Sequence, residues 1–508
     1  MNYLQEQKKI AKNTIFLYIR MIIIMVVTFY TTRVVLNALG ETDYGIYNIV
    51  GSVVVSMVFI QNSLMSATQR FFSYEIGLGN QGNVAMVFSS SLNLHIKFVS
   101  LILVVLETIG FWFLNHVLSI PPDRMLAANV VYQFSILTFC LTILRIPYNA
   151  IIVSHESMNI FALLSVVEAI LRLLIVFSLQ LFFADKLIVY GFLIFLLSLT
   201  INGMYISYCR RHFEEETRFN IHGDKEIKKK LQGFLGWNLL GGLTGVATSE
   251  GPNYFMNYYL GVTVNAAMGI AKQVSSGVYQ FSANFQTAFN PQIVKAYASK
   301  ENDYLFSLIH KTSLLSFYLL FIFAFPVLLC CDFIFDLWLV NVPKYTVVFS
   351  SLLIIGQLIS ALSSPLWMVA HATGDIKQYQ IVLSCFSLSI LPASYLILEF
   401  NYPSYYILAF HVFICVLVYA YRLWFAKKRL NFPVMPYLYE VIFKCILLTV
   451  LIVPIPIFLS YHVTGLWQNI SLILFSMLLS CIVIFYMGLD KETREALVTY
   501  IKKTLYKI

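Results

Sequence analysis

The feature that most constrains this chain is a succession of apolar stretches, each of about span length, running from Asn13 to Gly488 with short polar turns between them. About 20 apolar residues cross the hydrocarbon core of a bilayer as a helix. Within lipid, only helices and closed barrels satisfy their own backbone hydrogen bonds. The stretches fall near 13–37, 46–70, 87–113, 126–152, 160–183, 187–209, 233–259, 265–289, 305–330, 346–370, 378–399, 405–426, 437–460 and 468–488. The expected fold is therefore an all-α membrane protein of about fourteen transmembrane helices. Composition agrees, with 59% hydrophobic residues and 12% charged. A soluble domain carries roughly 25% charged residues. The opening Met1 to Lys12 is polar and basic, and the first apolar stretch is too long for a cleaved signal.

A plan stated near the N-terminus returns later. One apolar segment (Asn13 to Asn37), the turn Leu39-Gly40-Glu41-Thr42 and a second segment (Asn48 to Arg70) are followed by a counterpart. The counterpart runs through Phe234 to Tyr259, Leu260-Gly261-Val262-Thr263 and Asn265 to Asn290. The offset from Gly40 to Gly261 is 221 residues, and at that offset Leu39/Leu260, Thr42/Thr263, Ile49/Ile270, Val53/Val274 and Ala67/Ala288 also coincide. Internal repeats mark many transporter folds. The expectation is two pseudo-symmetric six-helix lobes around a central cavity, with two extra C-terminal helices. The N-terminal lobe would take residues 1–212, a cytoplasmic linker 213–232, the C-terminal lobe 233–430, and the last two helices with a cytoplasmic tail 431–508.

Basic residues orient the spans, since cytoplasmic loops are enriched in Lys and Arg. With the N-terminus inside, most of the 34 Lys and Arg fall at the inner face, Arg145 and Arg422 included. Only Arg124, Lys186 and Lys344 fall outside, and Arg20, Arg33, Lys97, Arg172 and Lys272 lie within spans. Both termini are expected in the cytoplasm. The net charge of +9 is spread over many inner loops, which makes nucleic acid a poor partner. The outer loop Cys331 to Lys344 can form a small interfacial cap through Phe333, Phe335 and Trp338.

The polar residues inside spans indicate where a site lies. Asn265, Lys272, Tyr279 and Gln286 recur every seven residues and form one stripe on an apolar helix. Asn48, Ser52, Asn62, Ser66, Gln69 and Ser73 form its counterpart in the first half. A stripe of this kind lines a hydrated cavity or serves as helix–helix glue. Lys272 and Glu250 flank the Leu260-Gly261 turn at like depth, as an ion pair or as an anion-binding group beside a desolvated, titratable switch. Gly251-Pro252 weakens the helix after Glu250 and suits a bending, gating segment. Arg20 lies deep enough in the first span for a cavity role. Glu168 and Arg172 have the i, i+4 spacing of an intrahelical pair. Glu107 has no evident partner in the sequence.

Catalytic chemistry is not legible. There is no Walker loop, no zinc-protease motif, no nucleophile–base set and no metal-ligand spacing among the nine scattered histidines. The eight cysteines read as free, packed thiols. A membrane glycan polymerase would need a large outer loop, and the outer loops here are short. A transporter that is not an enzyme, without cofactor and with proton or sodium coupling left open, is the expected class.

The residues Lys12-Asn13-Thr14 and the run from Arg33 to Tyr47, with its Leu39-Gly40 and Asp43-Tyr44-Gly45-Ile46-Tyr47, carry a resemblance. They resemble the polysaccharide-repeat (O-antigen type) flippases of the multidrug/oligosaccharidyl-lipid/polysaccharide exporter superfamily, which has the MATE-like fold. The resemblance implies a multi-pass protein of the bacterial inner membrane. Its function would be to move undecaprenyl-pyrophosphate-linked oligosaccharide from the cytoplasmic to the outer leaflet by alternating access, for lipopolysaccharide or other surface polysaccharide. Lipid-linked oligosaccharide, membrane lipid and the polysaccharide polymerase machinery are the implied partners. Arg20 and Lys272 would hold the pyrophosphate, with Asn48, Asn62, Tyr279 and Gln286 toward the sugars and Glu250, Gly251 and Pro252 in coupling or gating. A cation-coupled drug exporter of the same fold, relying on Glu250, is the alternative.

Overall fold

The computed structural model describes residues 3–55, 57–79, 82–116, 120–179, 185–218, 225–260, 262–339, 342–490 and 494–495. Among them the regular structure is helical throughout. The first half comprises α1 (Tyr3–Val55), α2 (Val58–Gly77), α3 (Val84–His116), α4 (Pro122–Ser154), α5 (Met158–Ser178) and α6 (Lys186–His212). The second comprises α7 (Lys225–Leu260), α8 (Val262–Ala298), α9 (Asn302–Leu329), the short α10 (Cys331–Trp338), α11 (Thr346–Ala372), α12 (Lys377–Glu399) and α13 (Tyr405–Leu430). Two more helices follow, α14 (Val434–Ser460) and α15 (Leu466–Gly488).

Ten of these helices, α3 to α6, α9 and α11 to α15, are long and apolar enough to cross a membrane, so the chain is a multi-pass membrane protein. The other long helices, α1, α2, α7 and α8, are those whose apolar runs are diluted by small, amide and charged side chains. The Leu39-Gly40 turn is one residue wide. Gly40 takes φ 79°, ψ 169°, a conformation open to glycine, and α1 resumes directly after it. A further helix boundary before Val58 divides what the sequence reads as the single span 46–70.

The 221-residue offset reappears in the helix ends. Gly77, which ends α2, maps onto Ala298, which ends α8. Met125, where α4 becomes α-helical, maps onto Thr346 at the start of α11. Ser178, the end of α5, maps onto Glu399, the end of α12. Three helix ends thus recur at one spacing, whereas the boundary before Val58 maps onto Tyr279 inside the continuous α8.

The chain forms two compact units, Ala11–Leu243 in one and Met1–Ile10 with Thr244–Ile508 in the other. In the first, α4 is the core helix, with Tyr132, Ile143, Ala150, Ile151 and Ile152 sealed from solvent. Phe72, Phe88 and Tyr148 pack in series at ring distances of 6.3 and 5.2 Å. A π-helical turn at Leu106–Gly110 displaces the backbone of α3, and the buried Tyr132 hydroxyl donates to the Leu106 carbonyl at 2.7 Å. Gly110 lies directly against that hydroxyl, where a Cβ would collide with it. Glu107 accepts from Gln133 Nε2 at 3.1 Å, the partner the sequence leaves unnamed.

At the end of α1 beyond the kink, Arg124 donates from Nε to Asp43 at 2.9 Å and from Nη1 to Asp185 at 2.7 Å. Asp185 also caps α6, accepting from the Leu187 N–H at 3.0 Å. Partial burial pushes the Asp185 carboxyl up, but the Arg124 hydrogen bond and the α6 N–H groups outweigh it, and the net direction is down.

In the second unit, Phe281 of α8 stacks on Phe323 of α9 at 3.8 Å. The Tyr437 hydroxyl joins Tyr419 and Ser313, each at 3.0 Å, which ties α14 to α13 and α9. The expected cap after α9 is the helix α10, with Phe335 fully buried and Trp338 exposed. All eight cysteines are free; Cys385 on α12 and Cys481 on α15 are exposed, and Cys140, Cys209, Cys330, Cys331 and Cys445 are buried.

Candidate binding cavities

Each unit holds a half-open cavity. The first unit's cavity, of about 470 Å³, is lined by α1 (Arg20, Thr31, Tyr47), α4 (Arg145, Asn149), α5 (Phe161, Ser165, Glu168, Arg172) and α6 (Tyr190, Tyr205). Its chemistry centres on Glu168. Arg145 Nη1 pairs with Glu168 at 3.1 Å, and Arg172 Nη2 stands at 3.8 Å from the other oxygen. The intrahelical pair Glu168–Arg172 is therefore present, yet the closer partner comes from α4. Arg20 places its guanidinium 4.6 Å from the Phe161 ring centre, and Arg145 sits 5.3 Å from that of Tyr205. Three guanidinium groups thus face one carboxylate. Arg20 Nε, Thr31 Oγ1 and Asn149 Oδ1 are buried here without a hydrogen-bond partner among the described residues.

The second unit's cavity, of about 460 Å³, lies among α7, α8, α11, α12 and α13. Tyr279 and Gln286 of the predicted α8 stripe line it together, the phenol donating to Gln286 Oε1 at 3.1 Å. Gln286 Nε2 in turn donates to Ser282 Oγ at 3.1 Å. Ser360, Ser363 and Ser364 present hydroxyls from α11, and Arg422 of α13 donates to Ser363 Oγ at 2.6 Å. The two cavities use repeat-related helices. Val27 and Thr248 are related by the 221-residue offset, as are Tyr190 and His411, and each lines the cavity of its own unit.

The remaining predicted residues lie elsewhere. Lys272 Nζ donates to the Ser249 carbonyl at 2.7 Å and to Glu250 Oε1 at 3.0 Å. Glu250 also accepts from Ser249 Oγ and Asn253 Nδ2. The two charges neutralise each other, and the Glu250 side chain is half exposed, not the desolvated carboxyl of the switch reading. The α7 helix continues through Gly251 and Pro252, with Gly251 against the Leu391 side chain of α12. Asn62 is an exposed residue of α2, and the side chains of Asn48, Ser52 and Asn265 lie outside the described residues. Part of the α2 stripe is glue: Ser73 and Ser154 are 3.0 Å apart, and Asn238 donates to the neighbouring Ser63 carbonyl at 2.9 Å.

Sequence reasoning missed Arg145 and Arg422 by assigning both to the inner face. Each stands well inside its helix, since α4 runs on to Ser154 and α13 to Leu430. At 1.5 Å per residue that is about 12–14 Å of helix. Counting back from the helix end was the signal that could have found them.

No family model matches the chain, and no curated protein matches it in sequence. Solved structures do match in fold. An outward-facing multidrug resistance MATE family transporter of the MOP superfamily aligns with a TM-score of 0.72 at 13% identity, covering 85% of this chain and 98% of its own. A MOP superfamily transporter from Pyrococcus furiosus aligns at 0.69, also with 13% identity and 85% and 98% coverage. A MATE transporter of Vibrio cholerae aligns at 0.67 with 15% identity, covering 84% and 98%. The chain has the MATE-like fold of these transporters.

Proposed function

We propose that this protein is a flippase of the bacterial inner membrane, with both termini in the cytoplasm. It moves undecaprenyl-pyrophosphate-linked oligosaccharide to the outer leaflet for surface polysaccharide, by alternating access. The observation that carries the reading is the charge of the first unit's cavity: among the described lining residues, Arg20, Arg145 and Arg172 stand against Glu168 alone. A pyrophosphate esterified at both ends has one ionised oxygen on each phosphorus, hence two negative charges. That matches the cavity's excess of two positive ones. Guanidinium forks suit phosphate oxygens in geometry as well as charge, and buried cations need such a partner. Fold support comes from the MATE and MOP neighbours, one of which is described as having a binding pocket of reverse polarity that suggests a different function.

In this reading Lys272 reaches an anion only after leaving Glu250, which makes the pair a step in gating beside Gly251 and Pro252. Tyr279, Gln286, Asn62 and Asn48 contact sugars. Proton or sodium supplies the drive, and the polysaccharide polymerase machinery receives the product.

The test is translocation of a fluorescent lipid-linked glycan in proteoliposomes. Arg20→Glu, Arg145→Glu and Lys272→Glu, each at unchanged membrane abundance, are expected to stop the crossing. Undiminished crossing in the two arginine variants overturns the proposal. Export of a cationic drug that Glu250→Gln abolishes, with no glycan crossing in the unaltered protein, makes it a drug exporter instead.

A further inference from the structure

We propose that the second unit's cavity is a subsite for a carboxylate-bearing sugar residue of the transported glycan, with Arg422 as the partner of the carboxylate. The inference rests on the flippase reading and assigns a substrate class to a cavity that the pyrophosphate does not explain.

Charge comes first. Among the described residues lining this cavity there is no carboxylate, and Arg422 is the one side chain with a permanent charge. A guanidinium held in a cavity with no carboxylate among its described lining is costly, and such groups within spans mark ligand pathways. The Arg422 fork is only partly used. Nη1 donates to Ser363 Oγ at 2.6 Å and to the Ser363 carbonyl at 3.4 Å, while Nε is buried without a hydrogen-bond partner among the described residues. Ser363 therefore fixes the guanidinium and leaves donors for a bidentate oxyanion. One cation suits one negative charge, unlike the doubly charged demand of the cavity around Glu168.

The rest of the wall has the character of a carbohydrate site. Ser360, Ser363 and Ser364 recur at i, i+3 and i+4, which sets three hydroxyls on one face of α11. Thr248 and Ser387 add hydroxyls from α7 and α12, and Trp367 gives an apolar wall for ring C–H groups. His411 Nδ1 is buried beside them without a hydrogen-bond partner among the described residues. Neutral groups that both donate and accept match sugar hydroxyls, and about 460 Å³ lies within the usual range for small-molecule sites.

The full-length protein in detergent, titrated with methyl glucuronide, methyl glucoside, acetate and inorganic pyrophosphate, tests this. Methyl glucuronide is expected to bind at least tenfold more tightly than either methyl glucoside or acetate. Arg422→Gln should erase the preference over the glucoside, and Ser363→Ala should weaken glucuronide about threefold. Arg145→Gln should weaken pyrophosphate and leave glucuronide unchanged, so failure of the subsite and failure of the flippase reading are distinguishable. Should Arg422→Gln not fold, the Ser363→Ala result decides. Equal affinity for glucuronide and glucoside, equal affinity for acetate, or glucuronide binding indifferent to both variants overturns the proposal.

Discussion

The two cavities are built from repeat-related helices and have nearly equal volumes, about 470 and 460 Å³, yet their chemistry has diverged. In the first unit arginines from α1, α4 and α5 crowd one carboxylate among tyrosines. In the second, serine hydroxyls surround a single arginine. The offset of 221 residues preserves the ends of α2 and α5 and the α-helical start of α4, because span length is set by bilayer thickness and helical rise. It does not preserve the lining, since side chains facing a cavity answer to whatever occupies it. A duplicated scaffold thus offers two differently charged compartments.

The largest expected effect breaks the comparison at its charged end. Arg145→Glu replaces the closer partner of Glu168 with a like charge and leaves that carboxylate with Arg172 at 3.8 Å. Glycan crossing in proteoliposomes should fall more than a hundredfold at equal abundance. If it does not, the charge difference between the cavities has no functional weight.

Helices outside the two linings differ as well. Gly110, in the π-turn of α3, maps onto Cys331, where the second half starts the separate helix α10. Gly110→Ala forces a methyl group against the Tyr132 hydroxyl and should destabilise the protein by about 1–3 kcal/mol, as overpacking does. Thermal unfolding in detergent measures the loss, and Tyr132→Phe in the same chain should recover part of it. Full stability of the single variant would show that α3 can give way there.

A smaller effect sharpens the electrostatic side. Glu168→Gln removes the internal counter-ion and should tighten pyrophosphate binding about fivefold, or roughly 1 kcal/mol for a partly screened pair. Titration calorimetry reads it, and unchanged glucuronide affinity confines the effect to the first cavity.

The smallest concerns the Arg124 clamp. The Asp185 carboxyl lies lower in the folded protein than its ordinary value of about 3.9. Its contribution is therefore present above that value and is lost as pH falls through the folded one. An acid titration of stability should show a slope below about pH 4 that Arg124→Gln flattens, by less than about 1 kcal/mol. The second unit carries no repeat-related copy of this arginine, because position 345 is Tyr345.

Much of the architecture was legible beforehand. Apolar run length gives the helices, and six coincident residues around Gly40 and Gly261 give the duplication that the helix ends repeat. The site was legible in part. Tyr279 and Gln286 do line a cavity, and Arg20 lines another, because polar groups within spans have few other places to go. Arg145 and Arg422 were hidden by the rule that orients the chain, which counts arginine near a helix end as an interfacial charge and carries no depth. Ser73 misled for the opposite reason. Spacing placed it on a stripe, but only tertiary contact shows that it faces Ser154. Glu168 needed its neighbours on α4 before a sequence-local pair could be seen as half of a larger cluster.

The distribution of thiols has a practical consequence. Cys385 and Cys481 are the exposed cysteines, Cys385 near the middle of α12 and Cys481 in the second half of α15, and on these apolar helices both would meet acyl chains. Maleimide addition needs the thiolate, which hydrocarbon disfavours, so both cysteines should resist permeant and impermeant maleimides alike while they face lipid. Labelling that appears at either cysteine during a transport cycle would then report that α12 or α15 has turned its thiol toward water, with no engineered mutation.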